Sequence, residues 1–231
     1  MNHAWRLIGA MALLLGAAAP VVARPIGKPA AKVDWSHTYS VTPDGGFRMG
    51  NPKAKVAVVE YGSLICPHCR PFAQTAIKPF VGQYVRTGKA SYEFRPLILS
   101  GIDIAANLVA RCGGPSAFFP IADHLYATQP TWLGRVSADQ NQQIATLPES
   151  QMYAAFAKAT GIVPIAAAHG LAPARADKCL RDGSAALRLA EMAKVAEDLG
   201  VTGTPTFFIN GQRAPVYDWD SLKPFLAPAG T

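Results

Sequence analysis

Two cysteines separated by two residues lie where a predicted strand gives way to a predicted helix. The short apolar run Val56–Tyr61 is rich in β-branched residues, which predicts a buried strand, and Cys66-Pro67-His68-Cys69 follows it after a short loop. Pro79 should kink a helix that is predicted from Cys66 to about Arg86. The predicted apolar face of that helix consists of Phe72, Ala76, Phe80 and Tyr84.

The rest of the chain favours an α/β fold with a helical insertion. Residues 101–183 are rich in alanine and poor in β-branched residues, and glycines and prolines divide them into helix-like stretches. Strands and helices alternate on both sides of this block, which is typical of an α/β domain. The predicted helices after it are Ser184–Leu199, with Leu189, Met192, Ala196 and Leu199 on its apolar face, and Trp219–Leu226. The other predicted strands are Thr38–Val41, Phe47–Met49, Ser91–Leu99, Thr206–Ile209 and Arg213–Val216.

The first residues have the pattern of an export signal. Arg6 precedes the uncharged, almost wholly apolar run Leu7–Ala19, which is too short to span a bilayer comfortably but suits the core of a signal peptide. Small residues permit cleavage after Ala23, and an uncleaved membrane anchor is the alternative. The expected organisation is a signal peptide at 1–23, an extension at 24–46, an α/β domain formed by 47–100 and 184–231, and a helical insertion at 101–183.

Composition excludes several other classes of protein. Hydrophobic residues make up 50% of the chain and charged residues 16%, which excludes a disordered protein. The net charge is +7, but the basic residues do not cluster, so we expect no nucleic-acid partner. Four cysteines are too few for a small disulfide-rich protein, yet after export they would meet an oxidising compartment.

The predicted position of Cys66 makes its thiol acidic. The free N–H groups and the dipole at a helix N-terminus stabilise a thiolate, and His68 adds a positive charge when it is protonated. Cys69 lies one turn further along and should be less exposed. Because a stabilised thiolate favours the reduced form, a disulfide between Cys66 and Cys69 should be a strong oxidant.

Other uses of these cysteines have less support. Covalent haem attachment requires a histidine after the second cysteine, but that residue is Arg70. A zinc site would need further ligands such as Cys112 and Cys179, whose spacing forms no second paired motif. A purely structural disulfide across so short a loop would gain little from closure. We therefore expect redox chemistry with no metal and no organic cofactor.

A second motif, Gly203-Thr204-Pro205-Thr206, directly precedes a predicted strand far along the chain. A proline that opens a strand is often only a boundary signal. In a chain with a redox-active cysteine pair, a cis bond between Thr204 and Pro205 would expose backbone groups to an extended substrate peptide. We therefore expect Thr204 and Pro205 to bind substrate.

The segments Glu60–Cys69 and Gly200–Phe208 together resemble those of the DsbA-like thiol–disulfide oxidoreductases. The resemblance covers about Phe47 to Leu226 and implies a thioredoxin-like fold interrupted by a helical insertion, with a cis Pro205 packed against Cys66. It implies that Pro67 and His68, between the two cysteines, accompany a strong oxidant. The best-known members carry valine at the position of Thr204, whereas threonine occurs in other branches, including isomerases.

The resemblance also assigns roles to three further residues. Glu60 corresponds to a partly buried acid under the active site, which could take up or deliver the proton of Cys69. A carboxylate that faces solvent or pairs with a lysine is the alternative. Cys112 and Cys179 correspond to a second cysteine pair, for which a structural disulfide is expected and a redox-modulating pair is the alternative.

These inferences predict an exported, periplasmic oxidase that introduces disulfides into reduced, unfolded secreted proteins through Cys66 and Cys69. A monomer is expected because residues 24–49 are too few to form the N-terminal dimerisation domain of the isomerases. The resemblance implies re-oxidation by a quinone-linked, DsbB-like membrane protein. A disulfide reductase or isomerase, and a non-catalytic peptide-binding chaperone on the same fold, are the alternatives.

Overall fold

The computed structural model describes residues 33–226, which contain a mixed six-stranded sheet packed against helices. The predicted signal peptide at 1–23 lies outside the described residues. The order across the sheet is β1-β2-β4-β3-β5-β6, in which β3 and β4 are parallel and the other neighbours are antiparallel. The strands are β1 Tyr39–Val41, β2 Phe47–Gly50, β3 Val56–Gly62, β4 Ala90–Pro96, β5 Thr206–Ile209 and β6 Gln212–Ala214.

All the predicted strands are present, with some differences at their ends. The prediction of a strand to Leu99 is wrong, because β4 ends at Pro96. Its parallel partner β3 ends at Gly62, which lies opposite Pro96, and the last ladder bond runs from the N–H of Leu97 to the carbonyl of Gly62. β1 lies inside the range 24–46 that the sequence analysis treats as an extension, so the sheet begins before Phe47.

The helical region after β3 is more broken than the sequence predicts. It consists of α1 Cys69–Thr75, α2 Ile77–Phe80 and a π-helical turn at Val81–Val85. A single helix beginning at Cys66 is therefore a wrong prediction, since α1 begins at Cys69 with His68 as its N-cap. The ring of Pro79 explains the break before α2, because it cannot donate to the carbonyl of Thr75 and crowds it.

A helical insertion separates the two parts of the sheet, as predicted. Its α4 contributes Phe118, which packs edge-on against Phe47 of β2 with ring centroids 5.4 Å apart and against Phe94 of β4 at 5.1 Å. The insertion and the sheet therefore share one hydrophobic core. The insertion helices are α3 Gly101–Arg111, α4 Pro115–Ala127, α5 Gln129–Leu133, α6 Ala138–Ala145, α7 Glu149–Thr160, α8 Ile162–Ala167 and α9 Pro173–Leu180.

Two contacts tie the insertion helices together. Cys112, directly after α3, is joined by a disulfide to Cys179 in α9, with Cα atoms 5.9 Å apart. His124 of α4 and His169, which follows α8, lie with their ring nitrogens 2.9 Å apart. The sequence contains no signal for this pair, because 45 positions separate the two histidines.

Two helices complete the described chain after the insertion, α10 Gly183–Asp198 and α11 Trp219–Leu226. Leu189 and Ala196 of α10 are buried as predicted, but the assignment of Leu199 to the apolar face is wrong, since 54% of that residue is exposed. Leu199 follows the last helical residue, where the chain turns away at Gly200 with φ +73°. No helix within residues 33–226 is long and apolar enough to cross a membrane.

Candidate active site

The two thiols lie in the turn between β3 and α1. Gly62 ends β3 so close to Phe94 that a Cβ atom would stand 2.5 Å from the ring, which explains the glycine. Pro67 and His68 are exposed, whereas 3% of the surface of Cys66 and none of that of Cys69 is exposed. An external thiolate can therefore reach the sulfur of Cys66 but not that of Cys69.

Hydrogen bonds stabilise the thiolate of Cys66. The thiol of Cys69 donates to it, as do the Thr204 side chain and the N–H groups of Cys69 and His68. These bonds outweigh the opposing effect of burial and lower the pKa of Cys66 to about 5. Although α1 begins three residues later than predicted, the N–H groups of its N-cap His68 and of its first residue Cys69 still reach the sulfur.

The second thiol has the opposite acidity. The hydrogen bond that Cys69 gives to Cys66, followed by burial and the nearby carboxyl of Glu60, raises the pKa of Cys69 far above its usual range. Both cysteines are thiols in the structure. The pair thus combines one acidic, reachable sulfur with one buried sulfur that holds its proton.

Glu60 lies in the middle of β3, with 2% of its surface exposed. The hydroxyl of Tyr92, on the neighbouring strand β4, donates to its carboxyl oxygen at 2.5 Å. Burial, and to a lesser extent the proximity of Cys66, raises the pKa of Glu60 to about 8, although the hydrogen bond from Tyr92 opposes this change. This carboxyl faces the interior rather than solvent, and it can hold a proton near neutral pH.

The peptide bond between Thr204 and Pro205 is cis, as the family resemblance implies. It precedes β5, which lies beside β3 in the sheet. The thiol of Cys66 donates to the carbonyl oxygen of Thr204 at 3.3 Å. The fold therefore brings Thr204 and Pro205 beside Cys66, although 138 positions separate Cys66 from Thr204 in sequence.

The helical insertion supplies polar groups that hold the turn before Cys66. Gln129 donates to the carbonyl oxygens of Leu64 at 2.9 Å and Cys66 at 3.1 Å. The hydroxyl of Tyr126 donates to the carbonyl of Ser63 at 3.0 Å. Tyr126 and Gln129 are both buried, and sequence reasoning identifies neither of them as part of the site.

Asp103, in the first turn of α3, is a further buried acid that sequence reasoning misses. It has no exposed surface, and burial raises its pKa to about 7. The only signal was a serine three residues earlier, Ser100, which together with an acid resembles a helix-capping box. That pattern would have predicted a helix start rather than a contact with the active-site turn.

The second cysteine pair, Cys112 and Cys179, lies on the insertion and is separate from Cys66 and Cys69. No group of three or more His, Cys, Asp or Glu side chains that could hold a metal ion occurs in the described part of the chain. Cys112 and Cys179 are thus bonded to each other in the structure rather than grouped with Cys66 and Cys69.

Comparison with known proteins identifies the family. The family model described as "Thioredoxin" matches residues 42–227. A protein from Rickettsia conorii that is provisionally named a protein-disulfide oxidoreductase is 29% identical over 182 residues, which are 78% of this chain and 58% of that protein. The chain therefore spans little more than half the length of this curated relative.

Two solved structures have a similar fold. A protein-disulfide isomerase from Novosphingobium aromaticivorans is 31% identical with a TM-score of 0.71, and the match covers 77% of this chain and 93% of that one. The alpha-DsbA1 protein of Wolbachia pipientis is 22% identical with a TM-score of 0.66, and the match covers 80% and 90% of the two chains. With its sheet, helical insertion and paired thiols, the chain belongs to the thioredoxin family, and its fold is similar to that of a DsbA protein.

Proposed function

We propose that this protein is an exported oxidase that introduces disulfides into reduced, unfolded secreted proteins through Cys66 and Cys69. The observation that carries the proposal is the opposite acidity of the two thiols, with the pKa of Cys66 at about 5 and that of Cys69 strongly raised. A stable Cys66 thiolate favours the reduced enzyme, and its disulfide therefore tends to take electrons from substrates.

The reaction begins with the Cys66–Cys69 disulfide. A substrate thiolate attacks the sulfur of Cys66, a mixed disulfide forms, and the bond to Cys69 breaks. A second substrate thiolate attacks the substrate sulfur of the mixed disulfide and expels Cys66 as a stable thiolate. The substrate loses two electrons and gains a disulfide, while the enzyme becomes the dithiol.

Glu60 supplies the proton that Cys69 needs as it leaves. Its carboxyl is buried, and with a pKa of about 8 it is largely protonated at neutral pH. Burial and the negative charge that Glu60 would carry both raise the pKa of Cys69, which favours transfer of the proton from Glu60 to the leaving sulfur. Replacement of Glu60 by Gln should slow the attack of a reduced peptide on the oxidised enzyme several-fold, without a change in peptide affinity.

Substrate recognition is assigned to the loop around the cis bond. Thr204 and Pro205 are partly exposed next to Cys66, where an extended peptide can pair with backbone groups. Pro67 and His68 are exposed beside the same sulfur and complete this surface. Export follows from the predicted signal peptide, cleaved after Ala23, and a quinone-linked membrane protein re-oxidises the monomeric enzyme in the periplasm.

The deciding experiment is the redox equilibrium of the purified protein with glutathione. A strong oxidase should be reduced by glutathione far more readily than thioredoxin is. A reduction potential near that of thioredoxin, about −270 mV, would overturn the oxidase assignment. If the Cys66→Ser variant assisted the folding of a reduced substrate as well as the original protein does, the chaperone alternative would replace the oxidase assignment.

An isomerase is the second candidate, and two observations favour it. The structural relative at 31% identity is named a protein-disulfide isomerase, and Thr204 precedes the cis proline in this chain. A substrate with scrambled disulfides separates the two activities. An isomerase restores native pairing in that substrate without a net change in its thiol content, whereas an oxidase acts on reduced substrate only.

A further inference from the structure

Asp103 holds the turn that leads into Cys66. Its carboxylate accepts the hydroxyl of Ser63 at 2.6 Å and the N–H of Leu64 at 3.2 Å. It also accepts the N–H of Leu99 at 3.1 Å and the side-chain amide of Asn107 at 3.1 Å. One carboxylate on the first turn of the insertion thus satisfies donors from the active-site turn, from the segment after β4 and from its own helix.

These contacts continue to the reactive sulfur through the backbone. The N–H of Cys66 donates to the carbonyl of Ser63 at 3.1 Å, so the placement of Ser63 fixes the direction in which the chain enters Cys66. The N–H of Ser63 donates to the sulfur of Cys69, which in turn hydrogen-bonds to Cys66. Any movement of Ser63 would therefore alter the donors around both sulfurs.

We propose that Asp103 is a positioning residue for the thiol chemistry, which from the insertion helix fixes the Ser63–Leu64 turn and thereby holds the sulfur of Cys66 against its hydrogen-bond donors. The proposal rests on the thiol–disulfide exchange proposed above and assigns the insertion a direct part in it. Asp103 touches neither substrate nor sulfur and acts only through the turn.

Two effects of Asp103 on Cys66 have opposite signs, which makes the proposal testable. As a negative charge near Cys66, Asp103 repels the thiolate and opposes its formation, but with a pKa of about 7 it carries little of this charge near pH 5, where Cys66 titrates. As the anchor of the turn, it favours the thiolate by keeping the donors in place. Asparagine has no charge. Its side-chain NH2 group also faces the backbone N–H of either Leu64 or Leu99, so the hydrogen bond to that N–H is lost and this anchor of the turn is weakened.

The experiment is a pH titration of Cys66 in the reduced Asp103→Asn protein, in which the ultraviolet absorbance of the thiolate is measured. The positioning role predicts that the pKa of Cys66 rises by about one unit, equivalent to a tenfold weaker thiolate preference. Asp123→Asn, at an exposed acid on α4, is the matched control and should leave the titration unchanged. A pKa that falls or stays constant in folded Asp103→Asn would overturn the proposal.

A second variant covers the case in which Asp103→Asn does not fold. Ser63→Ala removes one hydrogen bond to Asp103 and leaves every charge in place. A smaller rise in the pKa of Cys66 is expected, whereas an unchanged pKa would contradict the positioning role. Because the titration is independent of the direction of electron flow, it can support or overturn this role even if the oxidase assignment fails in the glutathione experiment.

Discussion

The sulfur of Cys66 lies 3.3 Å from the carbonyl oxygen of Thr204, the residue that precedes the cis proline. This carbonyl accepts a hydrogen bond from the thiol and so favours the neutral form of Cys66. The side chain of the same threonine hydrogen-bonds to the thiolate and lowers the pKa of Cys66. One residue thus affects the acidity of the reactive sulfur in two opposite directions.

Replacement of Thr204 by valine separates these two effects. Valine keeps the backbone carbonyl and the approximate shape of the side chain but has no hydroxyl, so the pKa of Cys66 should rise by about one unit. The disulfide then becomes less oxidising, since a less stable thiolate disfavours the reduced form. Thiolate titration and the glutathione equilibrium measure the two changes. Thr202→Val, at an exposed neighbour, should change neither, and equal titration curves for all three proteins would contradict the prediction.

Glu60 should make the reduced protein less stable as the pH rises. Burial raises the pKa of Glu60 from 4.5 to about 8, so the folded protein binds this proton more tightly than the unfolded chain does. Its contribution is complete below pH 4.5 and is lost as the pH rises to about 8. Glu60→Gln is neutral throughout and keeps an acceptor for Tyr92, so its free energy of unfolding should exceed that of the original protein by about 4 kcal/mol at pH 8.

Urea unfolding of the reduced proteins between pH 4 and 9 measures this difference. The two stability curves should converge toward pH 4 and separate above pH 5. Glu191→Gln changes an exposed glutamate on α10 and serves as the control, for which the curves should coincide. A constant offset between the original protein and Glu60→Gln at every pH would show that Glu60 does not titrate as the structure indicates.

Local patterns predict much of this fold because they depend on neighbouring residues. The apolar, β-branched run of β3, the apolar face of the helical region after it and the helical character of residues 101–183 all follow from local composition, periodicity, glycines and prolines. Helix boundaries were less predictable, since the start at Cys69 rather than Cys66 depends on the turn that the insertion holds. The periodic pattern places Leu199 on the buried face because it does not show that the helix ends one residue earlier, at Asp198.

The polar groups around the site were not predictable by the same means. Asp103, Gln129 and Tyr126 reach the turn at Ser63–Cys66 from helices that lie at least 37 positions further along the chain. A single sequence contains no periodic signal for such contacts, since an isolated polar residue in a helix usually faces solvent. Glu60 was identified as part of the site only through the family resemblance, and its partner Tyr92 was not identified.

Only Cys66 should react with iodoacetamide in the folded, reduced protein. Its pKa of about 5 provides a thiolate at neutral pH, whereas Cys69 is fully buried and protonated. The rate of alkylation should follow a single titration with its midpoint near pH 5. With the Cys112–Cys179 disulfide kept intact, mass spectrometry should find one modified cysteine before unfolding and two after it. Early modification of Cys69 would contradict the assigned order of reactivity.

The acidity of Cys66 should also depend on the residue at position 69. The hydrogen bond from Cys69 is the largest of the effects that lower the pKa of Cys66. Cys69→Ala removes this donor and should raise the midpoint of alkylation by one unit or more, to about pH 6 or above. Cys69→Ser retains a hydroxyl donor at the same place and should raise it less. Equal midpoints for the two variants would show that the hydrogen bond is not the cause.

Loss of the second cysteine pair should reduce stability without altering the thiol chemistry. Cys112 and Cys179 are bonded across a sequence separation of 67, and closure of a loop of that length in the unfolded chain is worth about 4 kcal/mol in the loop-entropy model. The double variant Cys112→Ala with Cys179→Ala should therefore unfold at a lower urea concentration, by up to that free energy. Asp103 lies in the first turn of α3, whereas Cys112 follows its last residue. The alkylation midpoint of Cys66 should therefore stay near pH 5. A shifted midpoint in the folded double variant would instead indicate a redox-modulating pair that acts along α3.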